Sequence, residues 1–329
     1  MTGPGPGYNS PMDKLFRDVE GECIAPQGSV VCIGAFDGLH RGHQALVGRV
    51  RARARALGLK AVALSFEPLP REYFAPADPP ARLLLPRARF EGLCRLGMDA
   101  VGLLRFNAAM AAMSPETFVE KVLVKRLAAR DVWVGPGFRF GHRRAGDLAT
   151  LQALGAKHGF EATEVAVVAD GGERVSASAV RAQLAAGDLD AAARALGRRY
   201  AIAGTVVRGK QLGRQLGYPT ANIRLAGKRA PLGGIFAVWV HGIGPEPRAG
   251  VASLGTRPTV QGVEPLLEAH VFDFDGDLYG SRIEVEFVAK LRDEEKFDDL
   301  PSLVRQMDED SRQARRALRH DRETSGVSA

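Results

Sequence analysis

The stretch SVVCIGAFDGLHRGHQ, residues 29–44, decides the fold of the first half of the chain. Its first five residues are an apolar run of strand length, and a segment with alanine and leucine at helical spacing follows over about 41–57. Gly34 and Gly38 lie between them and allow the backbone to approach a ligand closely. The stretch predicts a buried strand, a tight turn and the start of a helix, the place where open α/β sheets bind ligands.

The same alternation continues outward from this stretch. Strand-length apolar runs recur in KAVALSF, DAVGLLRF, DVWVG and ATEVAVV, and helical patterns lie at about 86–97, 115–129 and 147–158. Two short helical patterns, SASAVRAQLAAG and DLDAAARALG, close this half. Strands that alternate with helices predict an α/β, Rossmann-like domain with a parallel sheet covered on both faces.

The second half of the chain has a different pattern. After Arg199 the runs YAIAGTVV, GIFAVWVHG, AGVASLG, LLEAHVFDF and SRIEVEFVAKL follow one another without helical patterns between them. Such runs favour an antiparallel barrel or sandwich, and we expect a β-barrel with a C-terminal helix from about 300 to 319. The expected division is a flexible leader at 1–14, a first domain at 15–187 and a second domain at 188–329.

Composition and charge limit the class of protein. The 329 residues are 45% hydrophobic and 25% charged, which excludes a disordered or collagen-like chain. Lys and Arg number 45 against 38 for Asp and Glu, and 36 of the 45 are Arg. The net charge of +7 leaves nucleic acid, an anionic membrane and phosphorylated small molecules open as partners, and a general compositional bias would also produce it.

The cysteines and the apolar segments indicate where the protein acts. Cys23, Cys32 and Cys94 are odd in number and form no CxxC pattern, so we expect neither a disulfide framework nor a zinc site. The sequence has no signal-peptide core and no apolar run of roughly 18 residues. We therefore expect a cytoplasmic protein without a membrane partner.

His40 and His43 form the first group of candidate catalytic residues. They are three residues apart at the expected start of a helix, where free N–H groups and the helix dipole favour an anion. Two imidazoles at this point are suited to bind a phosphate and to stabilise charge that develops on it. A zinc pair or two ordinary surface histidines are the alternatives, but helical zinc pairs usually stand four residues apart.

The string GAFDGLHRGH resembles the HxGH signature of the nucleotidyltransferase superfamily. Together with VGPGFRFGHRRAGD at 134–147 and VSASAVR at 175–181, it resembles the bifunctional riboflavin kinase/FAD synthetase family. The resemblance implies that this half adenylylates FMN with ATP. The ATP-site residues that it implies are Gly34, Phe36, Asp37, His40, His43, Arg139, Ser176, Ser178 and Arg181.

Three positions depart from the family pattern. Gly137 stands where Asp or Asn is common, Ala177 stands where a second Ser is common, and Leu69 replaces the histidine of a PHP string. Each of these departures removes a side-chain donor. An alternative is therefore a riboflavin kinase whose nucleotidyltransferase module is weak or acts on a different phosphorylated acceptor.

A second candidate site lies in VVRGKQLGRQLGYPTANI, residues 206–223. Glycines around two basic residues are suited to wrap a polyphosphate through backbone N–H groups. Thr220 and Asn222 follow, and their oxygens suit Mg²⁺. The loop residues that we expect to bind nucleotide are Gly209, Lys210, Gly213, Arg214 and Gly217.

This second string resembles the GRxxGxPTAN signature of riboflavin kinase. The resemblance implies that Thr220 and Asn222 hold Mg²⁺ and ATP phosphates, and that Glu268 is the catalytic base. On an alternating strand Glu268 and His270 point to the same face. Arg292, in the matching segment 291–315, is a candidate contact of the flavin phosphate.

The implied substrates and products are riboflavin, FMN, ATP and FAD, with Mg²⁺ as cofactor. A nucleic-acid-binding barrel is disfavoured because aromatic residues are only 7% of the chain and do not alternate with basic ones. Asp273, Asp275 and Asp277 lack the distal glutamate of a calcium loop, and we interpret them as a polar hairpin turn. The sequence does not indicate an oligomeric state.

Overall fold

A computed structural model describes residues 14–209, 213, 216–259 and 262–325. Of these, residues 14–80 and 86–175 form one compact unit, and 81–85 and 176–325 form a second. The expected leader falls almost entirely outside the described residues. The expected domain boundary at 187/188 remains a prediction.

The first unit contains a six-stranded, all-parallel sheet in the order β1-β4-β3-β2-β5-β6. Its strands are β1 Leu15–Phe16, β2 Ser29–Ile33, β3 Lys60–Glu67, β4 Ala100–Arg105, β5 Ala129–Val134 and β6 Glu161–Glu164. Its helices are α1 Arg41–Leu57, α2 Pro70–Phe74, α3 Pro86–Arg95, α4 Ala108–Ala111, α5 Pro115–Phe118 with a π-helical continuation Val119–Arg126, a 3₁₀ turn His142–Arg144 and α6 Leu148–His158. A small antiparallel hairpin, β7 Ala169–Asp170 and β8 Glu173–Arg174, follows.

The sheet order places the loop after β2 where open α/β sheets bind ligands. β2 lies between β3 and β5, and the chain builds β3 and β4 on one side of it before β5 and β6 on the other. Helices that leave neighbouring strands in opposite directions open a crevice at their carboxyl ends. The predicted parallel sheet is confirmed, and the GAFDG segment lies at this crevice, where the strand order changes direction.

One predicted strand of the first half is shorter than expected. ATEVAVV forms a strand only at Glu161–Glu164, and Glu164 pairs with Val134, the last residue of β5. An edge strand such as β6 has a single neighbour, so its ladder ends where that neighbour ends. The apolar residues that follow therefore continue as loop.

The second unit contains a closed antiparallel barrel in the order β10-β13-β12-β11-β14-β9, as predicted. The strands are β9 Ala201–Val207, β10 Ala221–Arg224, β11 Gly234–His241, β12 Arg248–Thr259, β13 Gly262–Val271 and β14 Arg282–Arg292. The helices are α7 Ala177–Ala185, α8 Leu189–Leu196 and α9 Leu300–Ser325. The sequence pattern did not reveal β10, which pairs with both β9 and β13 and closes the barrel.

The C-terminal helix α9 packs on the outside of the barrel, as expected, and extends beyond the predicted 319. Ala314 and Leu318 pack with Trp239 and Phe272 in one buried cluster. The indole N–H of Trp239 donates to Asp321 at 2.8 Å, so a buried polar group near the end of the helix is satisfied. No helix in the described ranges is long and apolar enough to cross a membrane.

Candidate active sites

The turn after β2 has a strained backbone. Gly34 donates its backbone N–H to the carbonyl of Leu64 at 3.1 Å, which extends the sheet by one residue. Beyond it, Phe36, Gly38 and Leu39 have φ angles of 51°, 87° and 47°. Residues other than glycine seldom adopt this left-handed backbone conformation, and those that do are concentrated at functional sites. The turn leads directly into α1, which begins at Arg41.

His40 and His43 lie together at the amino terminus of α1. His40 is the N-cap, and its Nδ1 accepts a hydrogen bond from the backbone N–H of His43 at 3.4 Å. The two rings stack with their centroids 3.7 Å apart and their planes inclined by 21°. The first turn of α1 contains no acidic residue. No carboxylate of the first helical turn therefore neutralises the positive end of the helix dipole.

The imidazole of His43 is held in its neutral form. Burial lowers the pKa of His43 well below its ordinary value of 6.5, and the charges of His40 and Arg89 lower it further. Its Nδ1 is buried, and no described residue provides a hydrogen-bond partner for it. A neutral imidazole with an unpaired buried nitrogen is suited to bind a ligand.

Arg89 stabilises the turn after β2, and the sequence analysis did not identify this residue. Its guanidinium is fully buried and donates to the carbonyl of Ala35 at 3.0 Å and to that of Phe66 at 2.8 Å. It also pairs with the carboxylate of Glu67 at 2.7 Å. Arg89 therefore connects the segments that follow β2 and end β3, the two edges of the candidate ATP site.

The other predicted residues of the first unit occupy different environments. Asp37 is buried, with 1% of its surface exposed. Arg139 is half-exposed and pairs with Asp147 at 3.3 Å. Gly137 has φ of 72°, and its backbone N–H donates to Glu164 at 3.0 Å. The positive φ explains why a glycine is tolerated where the family often has Asp or Asn.

Three predicted ATP-site residues, Ser176, Ser178 and Arg181, belong to the second unit by their contacts. The hydroxyl of Ser176 accepts from the backbone N–H of Ala179 at 3.1 Å and caps α7. Ser178 is exposed. The Nε of Arg181 donates to the carbonyl of Ala81 at 2.5 Å.

The barrel contains a first cavity of about 310 Å³ beside the PTAN turn. Its walls come from the end of β9, from the PTAN segment, from β13 and from the hairpin that follows β13. Its lining residues are Val206, Gly209, Pro219, Thr220, Ala221, Asn222, Ala269, Val271 and 274–279. The aspartates of the expected polar hairpin, Asp275 and Asp277, thus face this cavity.

Asn222 presents an unpaired oxygen at this cavity. Its Nδ2 donates to the carbonyl of Thr220 at 3.1 Å, which fixes the orientation of the amide. Its Oδ1 is buried and has no hydrogen-bond partner among the described residues. A Cβ at Gly209 would lie 2.8 Å from that oxygen, so only glycine allows the loop to pass so closely. A hard cation is the kind of group that such an oxygen accepts.

A second cavity of about 280 Å³ lies on the other side of Thr220. Glu268 and His270 line it from β13, and residues of β11, β12 and α9 form the opposite walls. Thr220 lines both cavities. The two cavities are therefore adjacent at the PTAN turn, and Glu268 lines the second of them.

Helix α9 closes one side of the second cavity through polar contacts. Asp310 accepts two hydrogen bonds from Arg292, at 2.9 and 2.8 Å, and this pairing raises the pKa of the guanidinium. The hydroxyl of Tyr218 donates a hydrogen bond to Asp308. Burial raises the pKa of the Tyr218 phenol most, this hydrogen bond raises it further, and together they bring it to about 12. Arg292 thus lines the cavity, but a carboxylate that the sequence analysis missed already engages it.

The glycine-rich loop is described only in part. Lys210 and Arg214 lie outside the described residues. Gly213 lines the second cavity, and Gly217 is exposed with φ of 84°. A Cβ at Gly213 would lie 2.3 Å from the carbonyl oxygen of Tyr218, which explains why this position requires glycine.

The chain matches two protein-family models. The FAD synthetase model matches residues 23–179, and the riboflavin kinase model matches residues 196–318. The chain is also 42% identical to the bifunctional riboflavin kinase/FMN adenylyltransferase of Escherichia coli (strain K12), over 92% of this chain and 97% of the relative. The chain belongs to the bifunctional riboflavin kinase/FMN adenylyltransferase family. It is therefore a transferase with both activities.

Other relatives agree with this assignment. The bifunctional riboflavin kinase/FMN adenylyltransferase of Pseudomonas fluorescens is 44% identical over 88% of this chain and 93% of its own length. A crystal structure described as a macrolide-efflux protein from Streptococcus pneumoniae is 29% identical, with a TM-score of 0.74 over 90% of this chain and 96% of its own. This structure supports the fold, and the family supports the two activities.

Arg89 and Asp310 are the residues that the sequence reasoning overlooked in this member of the family. Both lie within helical patterns, where a charged residue ordinarily faces solvent. No local signal distinguishes them from exposed neighbours. Their burial depends on strands that are distant in the sequence.

Proposed function

We propose that the barrel forms FMN where its two cavities meet and that the first unit forms FAD at the amino terminus of α1. The observation that carries the kinase assignment is the position of Thr220 in the walls of both cavities. ATP bound in the first cavity would direct its γ-phosphoryl group toward riboflavin in the second. Proximity of this kind supplies much of the rate of a phosphoryl transfer.

Glu268 is the proposed general base of the kinase step. It would accept the proton of the terminal ribityl hydroxyl as that oxygen bonds to the γ-phosphorus and ADP leaves. Its place in the wall of the second cavity, directly opposite Asn222 of the first, supports this role. His270 lines the same wall, and its Nδ1 donates to the carbonyl of Pro219 at 2.8 Å.

Thr220 and Asn222 are the proposed Mg²⁺ ligands. The unpaired Oδ1 of Asn222 fits a hard cation, which usually keeps several waters and needs few protein ligands beside the substrate phosphates. Within the described ranges no group of three or more His, Cys, Asp or Glu converges on a metal position. When bound, Mg²⁺ neutralises phosphate charge, and the two side chains hold the nucleotide in register.

The adenylylation step is proposed for the turn after β2. The FMN phosphate attacks the α-phosphorus of ATP, the new P–O bond forms, and pyrophosphate leaves without a covalent enzyme intermediate. His40 and His43 would hydrogen-bond the transferring phosphate, which the positive end of α1 also favours. Gly34, Phe36 and Asp37 would shape the nucleotide pocket at the same turn.

The remaining arginines and serines are proposed as phosphate contacts. Arg292 would bind a flavin phosphate beside its pairing with Asp310, and Arg181 already donates its Nε to the carbonyl of Ala81. Arg139 would complete the ATP contacts of the first unit, Ser176, Ser178 and Arg181 remain predictions from the family resemblance, and Lys210 and Arg214 would complete the kinase loop. The proposed partners are riboflavin, FMN and ATP. The three cysteines are free, which supports a reducing, cytoplasmic location.

The test is a product analysis. The purified chain is incubated with riboflavin, ATP and Mg²⁺, and FMN and FAD are followed by chromatography. The proposal expects FMN first and FAD second. Formation of FMN without FAD, even from supplied FMN, would support the alternative of a kinase with a weak or differently specific nucleotidyltransferase module, for which the missing donors at Gly137 and Ala177 are the reason.

A further inference from the structure

A third cavity, of about 600 Å³, lies on the outside of the barrel beneath the second half of α9. We call it the arginine cavity because Arg248, Arg315, Arg319 and Arg322 line it. Its floor contains Trp239 and Phe272. None of its lining residues lines the two cavities of the kinase site. The arginine cavity is therefore a separate space.

Two of these arginines are held in place by aromatic rings of the floor. The guanidinium carbon of Arg322 lies 4.7 Å from the ring centroid of Trp239. That of Arg315 lies 4.2 Å from the ring of Phe272. Arg248 stacks in the same way at 5.3 Å from Phe274. A stacked guanidinium loses less conformational entropy when it binds a ligand, because its position is already fixed.

The positive charge of the arginine cavity is only partly neutralised. Arg315 forms two hydrogen bonds of 2.8 Å with Asp273. Arg248, Arg319 and Arg322 have no carboxylate partner within the described part of the chain. The other acid of the lining, Glu246, is exposed.

The spacing of the arginines on α9 is unfavourable for the helix alone. Arg315, Arg319 and Arg322 are four and three residues apart and share one face. Like charges at these spacings destabilise a helix. Contacts with the barrel account for Arg315 and Arg322, but no hydrogen bond, ion pair or ring contact within the described part of the chain accounts for Arg319.

We propose that the arginine cavity binds a small phosphate-bearing anion of the size of a nucleoside diphosphate. Its volume lies within the range of small-molecule sites, roughly 300–1,000 Å³. Guanidinium groups bind phosphate oxygens in bidentate fashion, and three of them converge here. A single-stranded nucleic acid is disfavoured, because it needs exposed rings on which bases stack, and Trp239 and Phe272 are buried under arginines.

Trp239 provides a local probe of this site. The chain has two tryptophans, and the other, Trp133, lies in the first unit. In a Trp133→Phe background, the fluorescence therefore comes from the barrel, and the arginine substitutions described next assign any change to the arginine cavity. Inorganic pyrophosphate and ADP are titrated into this protein, with sulfate at equal ionic strength as the control anion.

The expected result is a saturable change with pyrophosphate and ADP. Arg319→Gln and Arg248→Gln should weaken the apparent affinity at least tenfold, and Arg316→Gln should leave it unchanged. Arg316 is exposed on the same helix but lines none of the three cavities. Circular dichroism checks that each variant is folded, and all three substituted side chains are exposed.

Four outcomes would overturn the proposal. One is an unsaturable response, and another is equal affinity for sulfate and pyrophosphate. The third is equal weakening by Arg316→Gln and Arg319→Gln, which would show a general charge effect. The fourth is a labelled oligonucleotide that binds more than a hundredfold tighter than pyrophosphate, which would show that the arginine cavity binds nucleic acid and not a small anion. None of these outcomes affects the riboflavin kinase and FMN adenylyltransferase assignment, which the product analysis tests.

Discussion

Asn222 on β10 lies directly opposite Glu268 on β13 in the pairing of two antiparallel strands. Side chains of opposed residues point to the same face of a sheet. Asn222 lines the first cavity of the barrel, and Glu268 lines the second. The proposed metal ligand and the proposed base are thus directly opposed residues of two paired strands, and each lines one of the two cavities.

Replacing Glu268 with Gln should abolish the kinase step only. The amide has nearly the shape of the carboxylate but accepts no proton, so riboflavin phosphorylation should fall by about 10²–10⁴-fold. FAD formation from supplied FMN should remain at the wild-type rate. Chromatography of the products measures both. A Glu268→Gln protein that still phosphorylates riboflavin normally would remove Glu268 from the mechanism.

Replacing His43 with Ala should give the reverse pattern. Loss of a donor aimed at developing phosphate charge typically lowers the rate by about 10²–10³-fold, so FAD formation should fall while FMN formation persists. His320→Ala is the matched control, since His320 lies exposed on α9. If the folded His43→Ala protein lost both activities, the assignment of one activity to each unit would be wrong.

Replacing Asn222 with Ala should raise the Mg²⁺ concentration that the kinase step needs. The substitution removes the unpaired Oδ1 and leaves Thr220 as the only proposed side-chain ligand. The Mg²⁺ dependence of FMN formation should shift at least tenfold, and that of FAD formation from FMN should not move. An unchanged Mg²⁺ dependence of the kinase would show that Asn222 does not ligate the ion.

Replacing Arg89 with Met should destabilise the first unit. The substitution removes the ion-pair contact of Glu67 with Arg89 and one hydrogen bond to each of two carbonyls, and breaking a buried ion pair costs about 3–5 kcal/mol. Trp133 fluorescence in a Trp239→Phe background measures this unit during urea unfolding. Arg87→Met is the control, because Arg87 is exposed. Equal unfolding free energies for the two variants would contradict the structural role of Arg89.

The depressed pKa of His43 predicts a loss of stability in mild acid. Below about pH 6.5 the unfolded chain binds a proton at this residue that the folded chain does not. The free energy of unfolding of the first unit should therefore decrease as the pH falls from 6.5, by up to about 1.4 kcal/mol per pH unit for this group. Above pH 6.5 its contribution is constant. His43→Gln should flatten this acid limb, as urea unfolding at several pH values would show.

Local patterns were sufficient for most of the architecture. The alternation of strands and helices predicted the parallel sheet, and the closely spaced runs predicted the barrel with its terminal helix. β10 was missed because its four residues, ANIR, contain one β-branched side chain and follow a turn motif. Its strand form depends on two neighbours, β9 and β13, which no local pattern shows.

The sequence by itself determined the turn after β2 and the PTAN turn, because the backbone conformation of a turn depends mainly on residues within a few positions of one another. Only the tertiary structure decided that Arg89 supports the turn, that Asp310 engages Arg292 and that Thr220 joins two cavities. Arg89 reaches the carbonyl of Ala35 across 54 positions of the chain. Contacts over such separations depend on the packed sheet and barrel, because packing determines which charged side chains are buried and paired.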